Sequence, residues 1–307
     1  MILWQNYSTA MICDKTPMTF HIPLRQKSRQ LFFLLFFFSM AITGQSWAAS
    51  FEDGLSPYQE GDYPKAFRLF HDAAREGNVR AQAQVGYMYF EGQGVKQDKA
   101  EAARWYRRAA EQGWVMAQYN LGMQYEEGWG VKADPKEAVK WYRKAAEKGH
   151  AKAQTKLGWA CAHGLGLRQD HAQAVKWYRK AAIQGNATAQ SNLGFAYSNG
   201  KGVKRDYAEA LKWYRQSAAQ DYALAYHNIG YLYVLGLGVK VDLVEAERNF
   251  RKAAELGWAE SQYMMGMGYL SGEVLPKDNA EAVRWFEKAA AQGHEESKKE
   301  LLKLRGG

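Results

Sequence analysis

Cys161 and His163 bring a nucleophile and a base close together in this chain. A thiol is activated only by a base within hydrogen-bond reach, and residues two apart on a helix point in different directions. Cys161 also stands at a position that recurs elsewhere as Tyr89, Tyr125, Tyr197, Tyr233 and Tyr269, so it is expected to be a buried core thiol. The histidines are no better placed for chemistry. His150 and His294 follow helical segments, while His71, His163, His171 and His227 are scattered, and no His-Glu-x-x-His or Cys-x-x-Cys spacing gathers them into a metal site. The recurrent Gly-x-Gly with a following lysine, as in Gly94-Val95-Lys96, lacks the remaining residues of a phosphate loop and follows a helix instead of a strand; it reads as a turn. Trp105-Tyr106-Arg107-Arg108, Trp141-Tyr142-Arg143-Lys144 and Trp177-Tyr178-Arg179-Lys180 interleave rings and cations as nucleic-acid surfaces do. Their aromatic pairs fall on an apolar helical stripe, however, and the basic residues complement the later half of a helix dipole on its outer face. No catalytic residue, metal ligand or cofactor site is therefore expected, and no nucleic-acid partner.

The elements that carry these residues come from a repeat. Six ungapped copies of 36 residues start at Val79, Val115, Ala151, Ala187, Ala223 and Ala259. A fixed period without insertion implies that each copy occupies an equivalent place in a stack. In copy two, Ala117, Leu121 and Tyr125 recur every four residues on one face of a helix, helix A. Beside that stripe a glycine returns as Gly86, Gly122, Gly158, Gly194, Gly230 and Gly266. Glycine costs about 1 kcal/mol inside a helix, so a close neighbour must compensate. Helix A stops at Gly128, and Gly128-Trp129-Gly130 turns the chain. Helix B opens on an aspartate found in every copy, Asp98, Asp134, Asp170, Asp206, Asp242 and Asp278, followed three residues later by Glu or Gln173, the pattern of a capping box. Ala138, Trp141, Tyr142, Ala145 and Ala146 then form one apolar face, and Gly149 ends the helix. Segment 49–78 supplies an N-terminal cap and a partial repeat, with Ala66, Phe70 and Gly77 matching Ala102, Tyr106 and Gly113, and residues 51–60 forming a shortened first helix. Segment 295–307 reads as a solvated capping helix, with Leu302 where full copies carry Gly.

Residues 1–48 read as a signal peptide. Arg25, Lys27 and Arg29 precede the apolar run Leu31–Ile42, and Ser46 and Ala48 flank Trp47 in the small-x-small pattern of a cleavage site, so the mature chain is expected to begin at Ala49. Met18 alone begins a conventional leader and is the alternative start. Twelve apolar residues span only about 18 Å as a helix, short of the roughly 20 residues a bilayer needs, so no stable membrane insertion is expected after processing. The location expected is periplasmic or secreted. Of the net charge of +9, the leader carries three, which leaves a mild excess on the rest. Cys161 then remains the sole cysteine, and stability must come from packing, not disulfides.

The motifs A-x-x-x-L-G-x-x-Y, G-x-G-V-x-x-D-x-x-E-A and W-Y-x-x-A-A-x-x-G, spread over residues 61–294, resemble the Sel-1-like repeat (SLR) family, a relative of the tetratricopeptide repeats. Departures are local. Copy four has Ser217 for an alanine and Asp221 for the closing glycine, copy five has Asn249 for Trp, and copy six replaces the turn with Glu273-Val274-Leu275-Pro276. The resemblance implies an all-α fold, a right-handed superhelix of antiparallel helix pairs. The family also includes cysteine-rich secreted members, whose cysteines this chain lacks.

By the same likeness, the second face of helix A lines the concave side. It places Tyr87, Tyr119, Met123, Trp159, Phe195, His227, Tyr231 and Tyr263 there, with Asn120, Asn192 and Asn228 beside them. These positions vary between copies far more than the Ala, Gly and Tyr framework. The function expected is an exported scaffold that binds a protein or peptide in this groove, the rings covering the ligand and the asparagines pairing with its backbone. Two alternatives stand beside it: a secreted hydrolase of cell-wall material, as proposed for cysteine-rich relatives, and a secreted factor that engages host proteins.

Overall fold

A computed structural model describes residues 50–306; the segment read as a signal peptide, with its expected cleavage site, lies outside the described residues. Among the described residues there are fifteen α-helices and no β-strand. They fall into two compact units, divided between Lys144 and Ala145.

The first unit opens with a 3-10 turn, Phe51–Gly54, whose N-cap Ser50 makes a complete capping box with Asp53. It continues through α1 (Leu55–Glu60), α2 (Tyr63–Arg75), α3 (Val79–Glu91), α4 (Lys99–Glu111) and α5 (Val115–Glu127), and α6 (Pro135–Glu147) begins in it. The second unit runs through α7 (Ala151–His163), α8 (His171–Ile183), α9 (Ala187–Asn199), α10 (Tyr207–Ala218), α11 (Ala223–Leu235), α12 (Leu243–Glu255), α13 (Ala259–Ser271), α14 (Asn279–Ala291) and α15 (Glu295–Gly306). Successive helices pack on one another within each unit, so each is a stretch of α-solenoid.

Local chemistry fixes where these helices start. The Asp134 carboxylate accepts from the backbone N–H groups of Lys136 at 2.9 Å and Glu137 at 3.2 Å, and Asp98, Asp170, Asp206, Asp242 and Asp278 cap their helices in the same way. The capping box expected at these starts is only half formed. The glutamates three residues on turn away from the cap and pair along the helix instead, Glu137 with Lys140 at 3.1 Å and Glu245 with Arg248 at 2.9 Å.

Each helix A packs on its helix B through the recurrent glycine. A Cβ at Gly122 would stand 2.6 Å from the Tyr142 ring, and one at Gly230 would stand 2.8 Å from the Phe250 ring. The compensation for glycine inside these helices is therefore the aromatic residue of the same repeat, laid flat against bare backbone. Gly54 does the same for Phe70 in the shortened first hairpin.

The second loop glycine serves stacking as well as turning. A Cβ on Gly130 would lie 2.1 Å from the Lys99 carbonyl, and one on Gly202 would lie 2.2 Å from that of His171, so each loop rests on the start of the preceding helix B. Copy six breaks the rule. Val274 takes the place of that glycine outside the left-handed region and stands exposed, while Gly272 keeps a φ of 71°. At the end of the chain Leu301 is buried, Leu304 packs on the same cluster, and Leu302 faces solvent.

Candidate functional site

The eleven residues read as a groove belong to three rows, each with the 36-residue period. Tyr119, His227 and Tyr263 form the first. All three, read as lining the concave groove, are buried and pack between neighbouring helices. The Tyr119 ring lies 5.8 Å from that of Tyr142. His227 Nδ1 is 2.9 Å from the Ser261 hydroxyl, and its ring lies 5.5 Å from Phe250 and 6.2 Å from Trp258. Tyr263 lies between Phe286 at 5.8 Å and His294 at 4.9 Å. Burial lowers the His227 pKa to about 4, so the ring is neutral at physiological pH.

Asn120, Asn192 and Asn228 form the second row, with Gln84 at the same register of copy one. All four are buried, yet Gln84 Nε2, Asn120 Oδ1, Asn192 Nδ2 and Asn228 Oδ1 have no hydrogen-bond partner among the described residues. The side chain of Asn120 also bonds the Tyr106 hydroxyl, a contact that opposes the strong rise burial imposes on that phenol. Buried carboxamides with a vacant donor or acceptor are uncommon, because each such atom costs about 1–3 kcal/mol of lost hydration.

Tyr87, Met123, Trp159, Phe195 and Tyr231 are the third row. Tyr87, Met123 and Phe195 are buried, whereas Trp159 and Tyr231 are half-buried and keep part of their surface open. His163 stacks on Trp159 with ring centres 3.8 Å apart, and Lys201 Nζ stands 5.4 Å over the Phe195 ring. Burial raises the Tyr87 pKa to about 12 and moves that of Tyr231 upward. Nine of the eleven residues are thus buried, and what remains open lies at Trp159 and Tyr231 in the second unit. Cys161 is buried, and the His163 ring packs on Trp159. Among the described residues, no cluster of three or more His, Cys, Asp or Glu side chains could hold a metal ion, and no helix is long and apolar enough to cross a membrane.

Two polar ties between repeats escape a motif search. Buried Gln82, Gln118, Gln154, Gln190 and Gln262 each donate Nε2 to a backbone carbonyl eight residues earlier, at 3.0 to 3.2 Å. Gln112, Gln184, Gln220 and Gln292 then donate to the Oε1 of Gln82, Gln154, Gln190 and Gln262 at 2.7 to 2.8 Å. Only recurrence at the repeat period marks these glutamines in the sequence. The arginine after the aromatic pair of helix B, read as an outer-face cation, reaches the next repeat as well where that repeat offers a tyrosine. Arg215 donates to the Tyr233 hydroxyl at 3.0 Å and Arg251 to that of Tyr269 at 3.2 Å, with Arg107 and Tyr125 paired alike. Three residues after Trp105, Trp141, Trp177 and Trp285 a cation covers the ring: Arg108 lies 4.4 Å over Trp105, and Lys144 lies 4.1 Å over Trp141.

Helix hairpins of constant length, tied by buried glutamines and presenting one variable face, define a tandem-repeat scaffold of the α-solenoid class. The chain belongs to the Sel1 repeat family, whose model matches residues 46–78, 79–114, 115–150, 151–186, 187–222, 223–258 and 259–294. It is similar in structure to a protective antigen present in uropathogenic Escherichia coli strains displaying an SLR fold. The two are 36% identical with a TM-score of 0.72, over 83% of this chain and 56% of that one, so this chain spans little more than half of the antigen. It is also similar to a Sel1 repeat protein from Oxalobacter formigenes, 33% identical with a TM-score of 0.73, over 78% of this chain and 96% of that one. Comparison with curated protein sequences finds no match. Sel1-repeat proteins are generally non-catalytic scaffolds for protein interactions.

Proposed function

We propose that this protein is an exported scaffold that holds an extended peptide segment of a partner protein against the A helices of its second unit. The observation that carries this reading is the pair of rings Trp159 and Tyr231, which keep part of their surface open on two A helices of the second unit. An extended peptide presents side chains at regular intervals along its length, and Trp159 and Tyr231 offer rings to cover them. The basic flank, short apolar run and small residues before Ala49 support delivery to the periplasm or beyond.

The test is affinity capture of the partner from the native cell envelope, followed by titration of variants. Trp159→Ala is expected to cost about 2 kcal/mol or more of binding, and Tyr231→Ala a smaller part. Arg143→Ala, at an exposed outer position, should cost little. Each variant is first matched to the parent in helicity and melting temperature. Normal binding by Trp159→Ala, with loss in Arg143→Ala, would move the interface away from this row. Mass spectrometry of the envelope fraction should find a chain starting at Ala49; an intact Leu31–Ala48 segment would make the leader an anchor instead.

A further inference from the structure

Gln124 stands out from its equivalents. The other copies place Met88, Ala160, Ala196, Leu232 and Gly268 at its position near the end of helix A, so the fold does not require a polar side chain there. Its side chain is buried, and neither Nε2 nor Oε1 has a hydrogen-bond partner among the described residues. A carboxamide offers a donor and an acceptor whichever way the amide is turned, so one bond of each kind stands vacant. The backbone of Gln124 is in use: its carbonyl accepts from the N–H groups of Gly128 and of Trp129, the latter at 3.0 Å, which holds the turn beside it. Burying an unpaired carboxamide where methionine, alanine or leucine serves equally well destabilises the repeat with no gain in packing.

Gln124 lines a small open cavity in the first unit, together with Phe90, Tyr106, Asn120, Met123 and Trp129. About 10 Å³ is available to atom centres, room for one water or the polar end of one side chain and too little for a sugar or a nucleobase. Phe90 and Trp129, half-buried with ring centres 5.4 Å apart, carry the cavity to the surface. Both rings are peculiar to this site. Later copies replace Phe90 with Glu126, Ala162, Ser198, Val234 and Leu270, and the other turns replace Trp129 with Gln93, Leu165, Lys201, Leu237 and Glu273. Asn120 bonds the Tyr106 hydroxyl and keeps Oδ1 unpartnered, which adds an acceptor to the lining.

The vacant atoms define the group that fits. A cation would meet Lys99, whose Nζ already stands 5.5 Å over the Phe90 ring and 5.4 Å over that of Trp129. An anion would meet the unpaired oxygens of Gln124 and Asn120. The Tyr106 pKa is raised foremost by burial and further by the nearby Glu91 carboxylate, which opposes an anion as well. A primary carboxamide satisfies all three vacant atoms. Its oxygen accepts from Gln124 Nε2, one N–H donates to Gln124 Oε1, and the other donates to Asn120 Oδ1. Its aliphatic stem then leaves along the rings of Phe90 and Trp129. We propose that this cavity is a subsite for a primary carboxamide, the end of an asparagine or glutamine side chain carried by a partner.

Proton–nitrogen NMR of the protein, isotope-labelled at glutamine and tryptophan, tests this. The Gln124 side-chain and Trp129 indole signals are assigned by their loss in Gln124→Met and Trp129→Leu, which install the residues that copies one and three carry at those positions. Propionamide is expected to shift both signals and to half-saturate at about 10 mM, with propionate and propylammonium at least about tenfold weaker. The peptide Gly-Gly-Gln-Gly-Gly should match propionamide, and Gly-Gly-Glu-Gly-Gly should not bind. Gln124→Met should melt no lower than the parent, yet its Trp129 signal should no longer respond. Silence to every probe up to about 100 mM overturns the inference, since a water alone would then fill the cavity. So does equal binding of propylammonium or propionate, or a Trp129 response that survives Gln124→Met. Propionamide binding without the glutamine peptide would leave the site to free amides and overturn its assignment to a partner's side chain.

Discussion

Copies two (115–150) and five (223–258) follow one plan and spend their variable residues differently. Copy two sets Tyr119 against Tyr142, ties its helix to the preceding hairpin through Gln118, and turns through Gly128-Trp129-Gly130. Copy five puts His227 at the seam, replaces the tying glutamine with half-buried Tyr226, and surrounds its turn with aliphatic residues. The hairpin survives all three changes, because what defines it is a glycine facing an aromatic ring and an aspartate at the start of helix B.

If the glycine contact is the common frame, breaking it should be equally severe in both copies. Gly122→Leu and Gly230→Leu are each expected to cost about 3 kcal/mol or more, since even a Cβ would overlap the facing ring before the rest of leucine is added. Chemical denaturation would read the loss; a mild effect at Gly230 alone would show that copy five relies on other contacts.

Acid should separate the two seam residues, His227 and Tyr119. His227 keeps its pKa near 4 through burial, and His150, the N-cap of α7, is lowered to about 4 by burial and by nearby Lys152. Above pH 6.5 both rings are neutral folded or unfolded, and their contribution is complete. As pH falls below 6.5 the unfolded chain takes up protons that the folded chain refuses, and stability drops until about pH 4, by about 3 kcal/mol for each ring. His227→Gln should remove one share of that loss, whereas Tyr119→Phe, at the equivalent seam of copy two, should leave the pH profile unchanged. Melting temperatures across this range would decide it.

Smaller effects sharpen the contrast. Gln118→Ala removes the side-chain donor to the Ala110 carbonyl, which keeps the Gly113 N–H at 3.0 Å, and is expected to cost about 1 kcal/mol. Tyr226→Gln would recreate that tie in copy five and should fall within about 0.5 kcal/mol of the parent in the same denaturation assay. Asp221, just before copy five, holds a φ of 56° where the other hairpins carry glycine. Asp221→Gly should relieve up to about 1 kcal/mol of backbone strain, less whatever the exposed pair with Lys252, 3.2 Å away, contributes. A lower melting temperature in that variant would show that the ion pair outweighs the strain.

The repeat, its length, its helix starts and its glycine contacts were all legible in the residues, because each is a local requirement repeated at a fixed interval. Asp134 must cap whatever helix follows it, and Gly122 announces a close neighbour through its cost in a helix. The candidate site was legible only in part. Tyr119, His227 and Tyr263 looked like Trp159 and Tyr231 as large groups on the second face of helix A, yet the first three are buried at the seam and the other two keep open surface. Positions four residues apart share a helix face in sequence, but which edge of that face meets the next helix depends on how neighbouring hairpins cross. The glutamine ties stayed hidden for the same reason, since Gln82 reaches the Ala74 carbonyl of the preceding hairpin only when two hairpins stack. Sequence by itself determined the hairpin and its period through capping, glycine and apolar spacing. The tertiary structure decided which variable side chains are consumed in packing and which keep a vacant carboxamide or an open ring, because burial depends on neighbours that one repeat cannot specify.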